Sequence, residues 1–309
     1  MKSLYIAGHA GLVGSALVRR FSGRPGLRLI TAGREELNLL EGRAVERFLE
    51  SKKPEAVVIA AGKVGGISPN SEKPAEFIYE NCMIEANLVH GSWKTGVQRL
   101  LNFGSSCMYP KEASQPMRCE DLGTGRMEPT SEAYATAKWA GLELCRAYRR
   151  QYGLRAVTAI PATVYGPGDR FDPKEGHVLS SLIHRFHQAK EESRPSVTLW
   201  GTGLPRREFL YSDDLAEACE TLLERYDEEE PINVGSGHTC SIRELAGQVA
   251  GIVGFRGEIV WDPSFPDGAP EKWLESSRIR ALGWVARTDL ATGLKRTVEW
   301  FLSRQGVQV

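Results

Sequence analysis

The sequence predicts a doubly wound α/β fold, in which helices cover both faces of a parallel sheet. Three observations indicate it: short β-rich segments alternate with longer helical stretches, those segments are nearly all apolar, and a glycine-rich loop follows the first of them. The run Ala-Val-Val-Ile-Ala-Ala at 56–61 suits a strand that is buried on both faces. Hydrophobic residues make up 41% of the 309 residues, which is enough for a sizeable core.

Five strands are predicted in the first half, at 3–7, 28–31, 56–60, 99–103 and 156–160, with room for a crossover helix between each pair. Beyond Pro167 the pattern loosens into a helix near 177–190, a strand at 197–200 and an apolar helical stripe at 290–302. We therefore expect a large domain over 1–165, with returns near 208–235. A smaller α/β lobe, formed by 166–207 and 236–309, would interleave with it.

Charge is balanced overall but sorted along the chain. The 39 Lys and Arg residues equal the 39 Asp and Glu residues, which argues against a coat on nucleic acid or on an anionic membrane. Residues 1–34 nevertheless hold six cations and no acid, whereas residues 213–230 hold nine acids and one arginine. We expect the cations to lie where anionic ligands bind, and the acidic run to be a solvated helix and loop away from them.

The cysteine and histidine patterns indicate no metal site. The six cysteines show no CxxC pair or disulfide-scaffold spacing, so reduced thiols of a cytoplasmic protein fit best. The histidines include no HExxH motif. The chain begins with an apolar strand and a glycine loop, which leaves no room for a signal peptide, and no run approaches the roughly 18 apolar residues of a membrane span. We expect neither nucleic acid nor membrane as a partner.

The loop from Gly8 to Gly14 follows the first strand and opens a helix, which is the context of a dinucleotide-binding Rossmann loop. Glycine lets the backbone approach a diphosphate, whose charge the unpaired amides at a helix start can bind. The cofactor contacts are therefore expected at Gly8, Gly11, Leu12, Val13 and Gly14. A floor of small residues after the third strand, Ala60, Ala61 and Gly62, would lie close to the same ligand.

Arg34 indicates which nicotinamide dinucleotide is used. An acid near the end of the second strand would bind the ribose 2'-hydroxyl of NAD, whereas an arginine can bind a 2'-phosphate. Arg34 stands twenty residues after Gly14 and therefore predicts NADP(H). The alternative is an exposed arginine that pairs with Glu35 or Glu36.

Tyr134 and Lys138 are four residues apart and would share one face of a helix. Ser105 follows the fourth strand, at the edge where open α/β sheets bind ligands. Reduction of a ketone needs a proton donor, a cation that lowers the pKa of that donor, and a hydroxyl that holds the oxygen. Tyr134, Lys138 and Ser105 can supply these roles, although an isolated Tyr/Lys pair is usually an ordinary solvated face.

Longer segments resemble the extended short-chain dehydrogenase/reductases and, within them, the GDP-L-fucose synthase family. The resemblance covers about residues 3–302. Beside the glycine loop, it is carried by Ala61-Gly62-Lys63-Val64-Gly65-Gly66-Ile67, Gly104-Ser105-Ser106-Cys107-Met108-Tyr109-Pro110-Lys111, Gly176-His177-Val178 and Arg207-Glu208-Phe209-Leu210. It implies an NADPH-dependent epimerase/reductase, active as a homodimer, whose substrate is the GDP-linked 4-keto-6-deoxy sugar GDP-4-keto-6-deoxy-D-mannose and whose product is GDP-L-fucose.

The resemblance also implies roles for residues that composition cannot assign. The ketone at C4 makes the protons on C3 and C5 removable, so the family needs a base and an acid; the matching residues here are Cys107 and His177. Thiols and imidazoles both suit proton transfer near neutral pH. Without the resemblance, Cys107 would be expected to be a small buried hydrophobe and His177 a helix-start cap.

Binding residues follow from the resemblance in the same way. Cationic forks and an aromatic wall suit a diphosphate and a guanine, and the matching residues are Ser106, Arg185, Trp200, Arg207 and Lys272. Each of the cations and the tryptophan could instead be a surface charge or a core side chain. Beside the cofactor, the resemblance implies Tyr134, Lys138, Pro161, Val164 and His177.

Two residues depart from the family pattern. Ala10 stands where members often have an arginine near the cofactor phosphate, and Thr163 stands where they often have an asparagine beside the sugar. The preference for NADP(H) therefore depends more heavily on Arg34.

Other functions stay open. A related enzyme could act on a GDP-4-keto 3,6-dideoxy sugar or heptose with the same residues. A 4,6-dehydratase would need Asp and Glu where this chain has Ser106 and Cys107, and a 4-epimerase that recycles NAD fits poorly with Arg34. The alternative from another class of protein is a regulatory protein that binds NADP but catalyses no reaction.

Overall fold

The helices and strands are those of a computed structural model, which describes residues 1–173, 176–265 and 267–305. The strands are β1 (Ser3–Ala7), β2 (Arg28–Ile30), β3 (Ala56–Ile59), β4 (Arg99–Phe103), β5 (Arg155–Pro161), β6 (Thr163–Tyr165), β7 (Ser196–Trp200), β8 (Arg206–Tyr211), β9 (Ile232–Val234), β10 (Thr239–Ser241), β11 (Glu258–Asp262) and β12 (Glu271–Lys272). The helices are α1 (Leu12–Phe21), α2 (Gly42–Lys52), α3 (Ile67–Glu72), α4 (Pro74–Lys94), α5 (Glu132–Tyr152), α6 (Val178–Glu191), α7 (Ser212–Arg225), α8 (Ile242–Val253), α9 (Ser277–Ala281) and α10 (Leu290–Arg304).

The main sheet has six strands in the order β2-β1-β3-β4-β5-β9, and all its pairings are parallel. The predicted fold class and the five predicted N-terminal strands are confirmed. Because β1 lies between β2 and β3, the strand order reverses there and leaves a crevice at the carboxyl ends of β1 and β3. The glycine loop and the small residues after β3 both lie at that crevice.

Alternate residues of β1 enter two different cores. Leu4 and Ile6 pack with side chains of α1 and α7, whereas Tyr5 and Ala7 pack with side chains of α2 and α4. Successive side chains of a strand point to opposite faces, so a strand that is covered on both faces must be apolar throughout. This is the physical reason that the apolar segments predict central strands.

A second group of elements follows β5. β8 pairs with β6, β10 and β12, while β7 pairs with β11. With α6, α8 and α10 these strands enclose a third core, in which Phe186, Leu245, Leu294 and Phe301 are buried. The helix, strand and apolar stripe predicted for this region are confirmed as α6, β7 and α10. The division of the chain into two domains stays a prediction, and residues 306–309 of its second lobe lie outside the described residues.

The expectation that the early cations lie where anionic ligands bind is wrong for three of the six, Arg19, Arg20 and Arg24. α7 packs against α1, and its acids pair with Arg19 and Arg20 of α1 and with Arg24, which follows that helix. The acids that follow α7 pair with arginines of α5 and β5. The ion pairs are Arg19–Asp213, Arg20–Glu220, Arg24 with Glu220 and Glu224, Arg146–Glu230, Arg149–Asp227, Arg150–Glu229 and Arg155–Asp227. Most of the sorting of charge therefore reflects contacts between distant segments of the chain rather than ligand binding.

Candidate active site

The loop between β1 and α1 has no room for side chains at two of its glycines. Gly8 has a φ of 82°, and a Cβ on it would lie 2.6 Å from the backbone of Ala61. A Cβ on Gly14 would lie 2.0 Å from the carbonyl oxygen of Gly8. Gly11 differs, because a Cβ there would meet only that same oxygen, at 3.6 Å. Gly8 and Gly14 are thus required by the backbone, whereas Gly11 leaves space before the helix.

The start of α1 has the properties of a diphosphate site. Gly11 is its N-cap and offers no side-chain hydrogen bond, and the first turn contains no acid. The amides of Leu12, Val13 and Gly14 belong to that turn, in which N–H groups lack intrahelical partners and favour an anion. Ala61 lies directly against Gly8, so the end of β3 forms one wall of the loop. These residues fit a dinucleotide diphosphate.

Arg34 is exposed in the turn that follows β2. Within the described residues it forms no ion pair with Glu35 or Glu36, and Glu36 instead lies 4.0 Å from Lys52. The surface ion pair that could have accounted for Arg34 is therefore absent. Its guanidinium is available to a phosphate.

Ser105, Tyr134 and Lys138 come together beyond the carboxyl end of β4. Ser105 lies close enough to the Tyr134 phenol to oppose the rise in its pKa that burial causes, and the Ser105 hydroxyl oxygen accepts the N–H of Cys107 at 3.2 Å. α5 places Lys138 one turn after Tyr134, where only 4% of it is exposed. Burial raises the pKa of Tyr134, and the Lys138 ammonium acts in the opposite direction.

Cys107 lies in a 3-10 turn, Ser106–Met108, directly after Ser105. It is half-buried, unpaired and within electrostatic reach of Tyr134. It is therefore not the fully buried hydrophobe that composition alone suggests. Ser106 belongs to the same turn and is also half-buried.

A cavity of about 270 Å³ lies beside Tyr134. Phe77 lines it together with Lys63, Val64 and Arg170, and the Phe77 ring meets that of Tyr134 edge-on with centroids 6.3 Å apart. Lys63 comes from the segment Lys63-Val64-Gly65-Gly66 that the sequence analysis singled out. Phe77 thus lies between this segment, on the cavity side, and the ring of Tyr134.

His177 stands at the N-cap of α6, and its side chain makes no cap hydrogen bond. Its charged neighbour is Asp169, whose Oδ1 accepts the N–H of Arg170 at 2.7 Å and whose Oδ2 is buried without a partner among the described residues. Burial raises the pKa of Asp169, and His177 acts in the opposite direction. Across the described residues, no hydrogen bond, ion pair or ring contact joins His177 to Cys107 or Tyr134.

Arg207 and Lys272 are neighbours on adjacent strands. β12 pairs in parallel with β8, and the register places Lys272 opposite Arg207. Nη1 of the half-buried Arg207 donates to the carbonyls of Arg206 at 2.8 Å and of Ala269 at 2.7 Å. Burial lowers the pKa of Arg207, and Asp267 acts in the opposite direction. A half-buried cation beside a lysine suits an anionic ligand.

Trp200 is 69% exposed at the end of β7, so the alternative of a core tryptophan is excluded. Its ring stacks on Phe265, with centroids 4.5 Å apart and planes 12° apart. Arg185 on α6 donates to the carbonyl of Thr198, two residues before Trp200. Burial lowers the pKa of Arg185. An exposed aromatic pair next to a cation offers a stacking surface for a nucleobase.

Pro161 ends β5 and Val164 lies in β6, both half-buried. Three further residues at this site were not predicted from the sequence: Glu85, which pairs with Lys138, Asp169, which lies beside His177, and Phe265, which stacks on Trp200. Glu85 did carry a signal, because it is a lone acid in the apolar middle of α4, Cys-Met-Ile-Glu-Ala-Asn. No sequence signal pointed to Asp169 or Phe265, because the role of each depends on a residue that only the fold brings close to it.

Metal sites and membrane spans were sought throughout the described ranges. No three His, Cys, Asp or Glu side chains in them cluster as a metal site would require. None of the helices described is both long enough and apolar enough to cross a bilayer.

Comparison with known proteins identifies the family. The model of the NAD dependent epimerase/dehydratase family matches residues 4–235. The chain is 48% identical over 302 residues to the GDP-L-fucose synthase of Sinorhizobium fredii, covering 98% of this chain and 96% of the relative. It is 46% identical over 311 residues to that of Escherichia coli, covering 98% and 97%.

A solved structure of the GDP-mannoheptose C4 reductase of Campylobacter jejuni, with NADP bound, is similar over its whole length. The TM-score is 0.88 at 36% identity, with 97% of this chain and 98% of the other covered. The chain therefore belongs to the NAD-dependent epimerase/dehydratase family and, within it, is a relative of the GDP-L-fucose synthases.

Proposed function

We propose that this protein converts GDP-4-keto-6-deoxy-D-mannose to GDP-L-fucose, by epimerisation at C3 and C5 followed by reduction of the C4 ketone. The observation that supports this most is the grouping of Ser105, Cys107, Tyr134 and Lys138 at the carboxyl end of β4. The sugar is supported by relatives of that name at 46–48% identity. The heptose reductase, which supports the heptose alternative, is 36% identical.

NADPH, when bound, supplies a hydride to the C4 carbon. In the proposal, Leu12, Val13 and Gly14 bind its diphosphate through their amides, and Gly8 and Gly11 leave room for it. Its remaining contacts are Arg34 at the 2'-phosphate and Ala60, Ala61, Gly62, Pro161, Val164 and His177 along its length. The NADP in the heptose reductase supports this cofactor. Because Ala10 carries no charge, binding of the 2'-phosphate would depend on Arg34.

Cys107 and His177 would perform the epimerisation. The Cys107 thiolate removes a proton from a carbon next to the C4 ketone, and the hydroxyls of Ser105 and Tyr134 stabilise the enolate oxygen. His177 returns a proton to the opposite face of that carbon. Inversion by two groups requires Cys107 and His177 to lie on opposite sides of the sugar.

Tyr134 would then donate its proton to the C4 oxygen as the ketone is reduced. The ammonium of Lys138 makes this donation easier, because it opposes the rise in the Tyr134 pKa that burial causes. Trp200 would stack on the guanine, while Arg185, Arg207 and Lys272 bind the diphosphate and Ser106 contacts the sugar. Thr163 would lie beside the sugar in place of an asparagine.

The test is to incubate the enzyme with GDP-4-keto-6-deoxy-D-mannose and to identify the product by NMR. With NADPH, we expect GDP-L-fucose. In deuterated water without cofactor, wild type should incorporate deuterium at C3 and C5. Cys107→Ser should lose most of that incorporation, whereas Cys240→Ser, at another half-buried cysteine, should keep it.

Three results would contradict the proposal. Undiminished exchange in Cys107→Ser would remove this residue from the mechanism. Turnover of a GDP-4-keto heptose or 3,6-dideoxy sugar, but not of the mannose derivative, would favour the related enzymes. NADPH binding without oxidation with any of these sugars would favour a regulatory protein.

We further propose that the protein is a cytoplasmic homodimer. The six cysteines are all free, which suits a reducing compartment. α4 and α5 would form the contact between subunits, because they present exposed aromatic side chains.

A further inference from the structure

Glu85 and Lys138 form a buried ion pair next to the proposed active site. Glu85 Oε1 accepts a hydrogen bond from Lys138 Nζ, and the two side chains come from the packed helices α4 and α5. Glu85 is 1% exposed and Lys138 is 4% exposed. Burial of two charges carries a desolvation penalty that their attraction often does not offset. Stability alone is therefore a weak reason for the pair.

The helix that carries Lys138 is shaped to accommodate the carboxylate. A Cβ on Gly141, one turn after Lys138, would lie 1.7 Å from Glu85 Oε2 and 3.1 Å from Asn102 Nδ2. Glycine inside a helix is unfavourable relative to alanine, so its presence here needs a reason. Only a residue without a side chain leaves Glu85 in contact with Lys138.

The surroundings give the carboxylate no second anchor. Glu85 Oε2 has no hydrogen-bond partner among the described residues, and the same holds for both amide atoms of Asn102 and for Thr158 Oγ1. Unpaired polar atoms of this kind are rare in protein interiors. Lys138 is thus the cation that holds Glu85, and each of the two groups depends on the charge and position of the other.

We propose that Glu85 is the positioning residue of this site, whose carboxylate fixes the Lys138 ammonium next to Tyr134 and preserves its charge. The inference rests on the proposed roles of Tyr134 and Lys138. It goes beyond them because it assigns the control of the Lys138 charge to Glu85, a residue of α4. Glu85 itself would touch neither substrate nor cofactor.

The electrostatics agree with this geometry. Burial is the largest influence and lowers the pKa of Lys138, but Glu85, together with Tyr134 and Cys145, outweighs it and the pKa is raised. Burial raises the pKa of Glu85, and Lys138 acts in the opposite direction. The titratable groups nearest the pair are Tyr134 and Cys145 on α5 and Cys82 on α4. β4 and β5 contribute the neutral Asn102 and Thr158.

The first test is Glu85→Gln, which removes the charge and keeps the shape. The titration of Lys138 is followed by NMR of protein labelled with ¹³C at lysine Cε, and its signal is assigned with Lys138→Arg. We expect the pKa of Lys138 to fall and the alkaline limb of the pH profile for ketone reduction to move to lower pH. The kcat should fall about tenfold or more with little change in KM. Glu85→Asp should restore the titration toward wild type.

A second variant perturbs the same ion pair sterically and leaves the charges of both residues unchanged. Gly141→Ala should displace the Glu85 carboxylate and lower the pKa of Lys138 as well. The matched controls are Gly247→Ala in α8, where a Cβ would meet nothing within 4 Å, and Glu143→Gln, which removes an acid on α5 that pairs with Arg146. Both controls should keep the wild-type kcat, and circular dichroism reports on the fold.

An unchanged Lys138 titration in folded Glu85→Gln or Gly141→Ala would overturn the inference. So would a loss of stability with unaltered kcat and pH profile, because Glu85 would then be structural. If Glu85→Gln fails to fold, the titration of Lys138 in Gly141→Ala and Glu85→Asp decides whether the inference holds. The titration needs no sugar, so a wild-type enzyme that does not turn over GDP-4-keto-6-deoxy-D-mannose would contradict the proposed function and leave this result standing.

Discussion

Arg34 is the residue on which the choice between NADPH and NADH should depend. A charge-assisted hydrogen bond to a phosphate contributes about 1.5–3 kcal/mol, and NADH has no 2'-phosphate to receive it. We expect Arg34→Ala to weaken NADPH binding about 10- to 100-fold and to change NADH binding less than about twofold. Fluorescence titration of both cofactors checks this.

The matched control for Arg34 is Arg47→Ala, an exposed arginine on α2. It should leave both dissociation constants unchanged. If Arg34→Ala weakened NADPH and NADH equally, Arg34 would not be the 2'-phosphate contact. The preference for NADPH over NADH would then have to depend on other residues of the crevice.

Residues that belong to a local motif could be predicted, and residues defined by a distant neighbour could not. Gly8 and Gly14 follow from the turn between β1 and α1, and Tyr134 and Lys138 follow from one helical turn. Glu85 acquires its role from Lys138, 53 residues away. Phe265 likewise acquires its role from Trp200. The spacing of residues in a sequence contains no information about such pairs until the fold brings them together.

At the scale of elements, α1 and α7 are joined by charge as well as by packing. Glu220 accepts hydrogen bonds from Arg20 at 2.6 Å and from Arg24. The partly exposed pairs should contribute about 0.5–1 kcal/mol together, and salt should screen them. We expect Glu220→Gln to lower the free energy of unfolding by this amount at low salt and by much less in 1 M NaCl. Urea denaturation measures both values.

Glu299→Gln is the control for Glu220. Glu299 lies 4.0 Å from Lys295 on α10, both of them exposed, and its loss should have no measurable effect at either salt concentration. A salt-independent loss in Glu220→Gln would mean that Glu220 acts through packing. In that case the ion pairs between α1 and α7 would not explain the acidic run.

The elements differ in how well their sequences predict them. β1, β3 and β4 are covered on both faces, so their sequences are recognisable as largely apolar runs, and β3 is apolar throughout. β6, β10 and β12 have only two or three residues and owe their strand conformation to pairing with β8. The partner of the acidic run could not be predicted, because complementary charge does not specify which helix packs against α7.

At the scale of the molecule, the two proposed ligands use different parts of the fold. The cofactor residues lie at the crevice of the main sheet, whereas Trp200, Arg207 and Lys272 lie on β7, β8 and β12. The zero net charge is compatible with this, since three of the six early cations pair with acids of α7 while Arg34 does not. The half-buried Arg207 donates to backbone carbonyls, which carry no net charge, so we expect its own charge to be available to the proposed ligand.

Four aromatic side chains form one face of α4 and α5, which we call the aromatic face: His90, Trp93, Tyr148 and Tyr152. Trp93 stacks on Tyr152 with ring centroids 4.2 Å apart, yet Tyr152 is still 44% exposed. An uncovered aromatic cluster suits contact with a second copy of the chain. Ultracentrifugation should therefore give twice the mass of 34.2 kDa. The melting temperature should rise with protein concentration, because association stabilises the folded state.

Tyr152→Glu places a charge in that aromatic face and should weaken the dimer at least about tenfold. The control is Val285→Glu, at an apolar residue that is 50% exposed away from α4 and α5 and should leave the mass unchanged. A wild-type protein that sediments as one chain would contradict the proposed homodimer. A dimer that both substitutions leave intact would place the contact on another surface. Because α4 and α5 also carry Glu85 and Lys138, a dimer through this face would hold together the two helices on which the proposed active site depends.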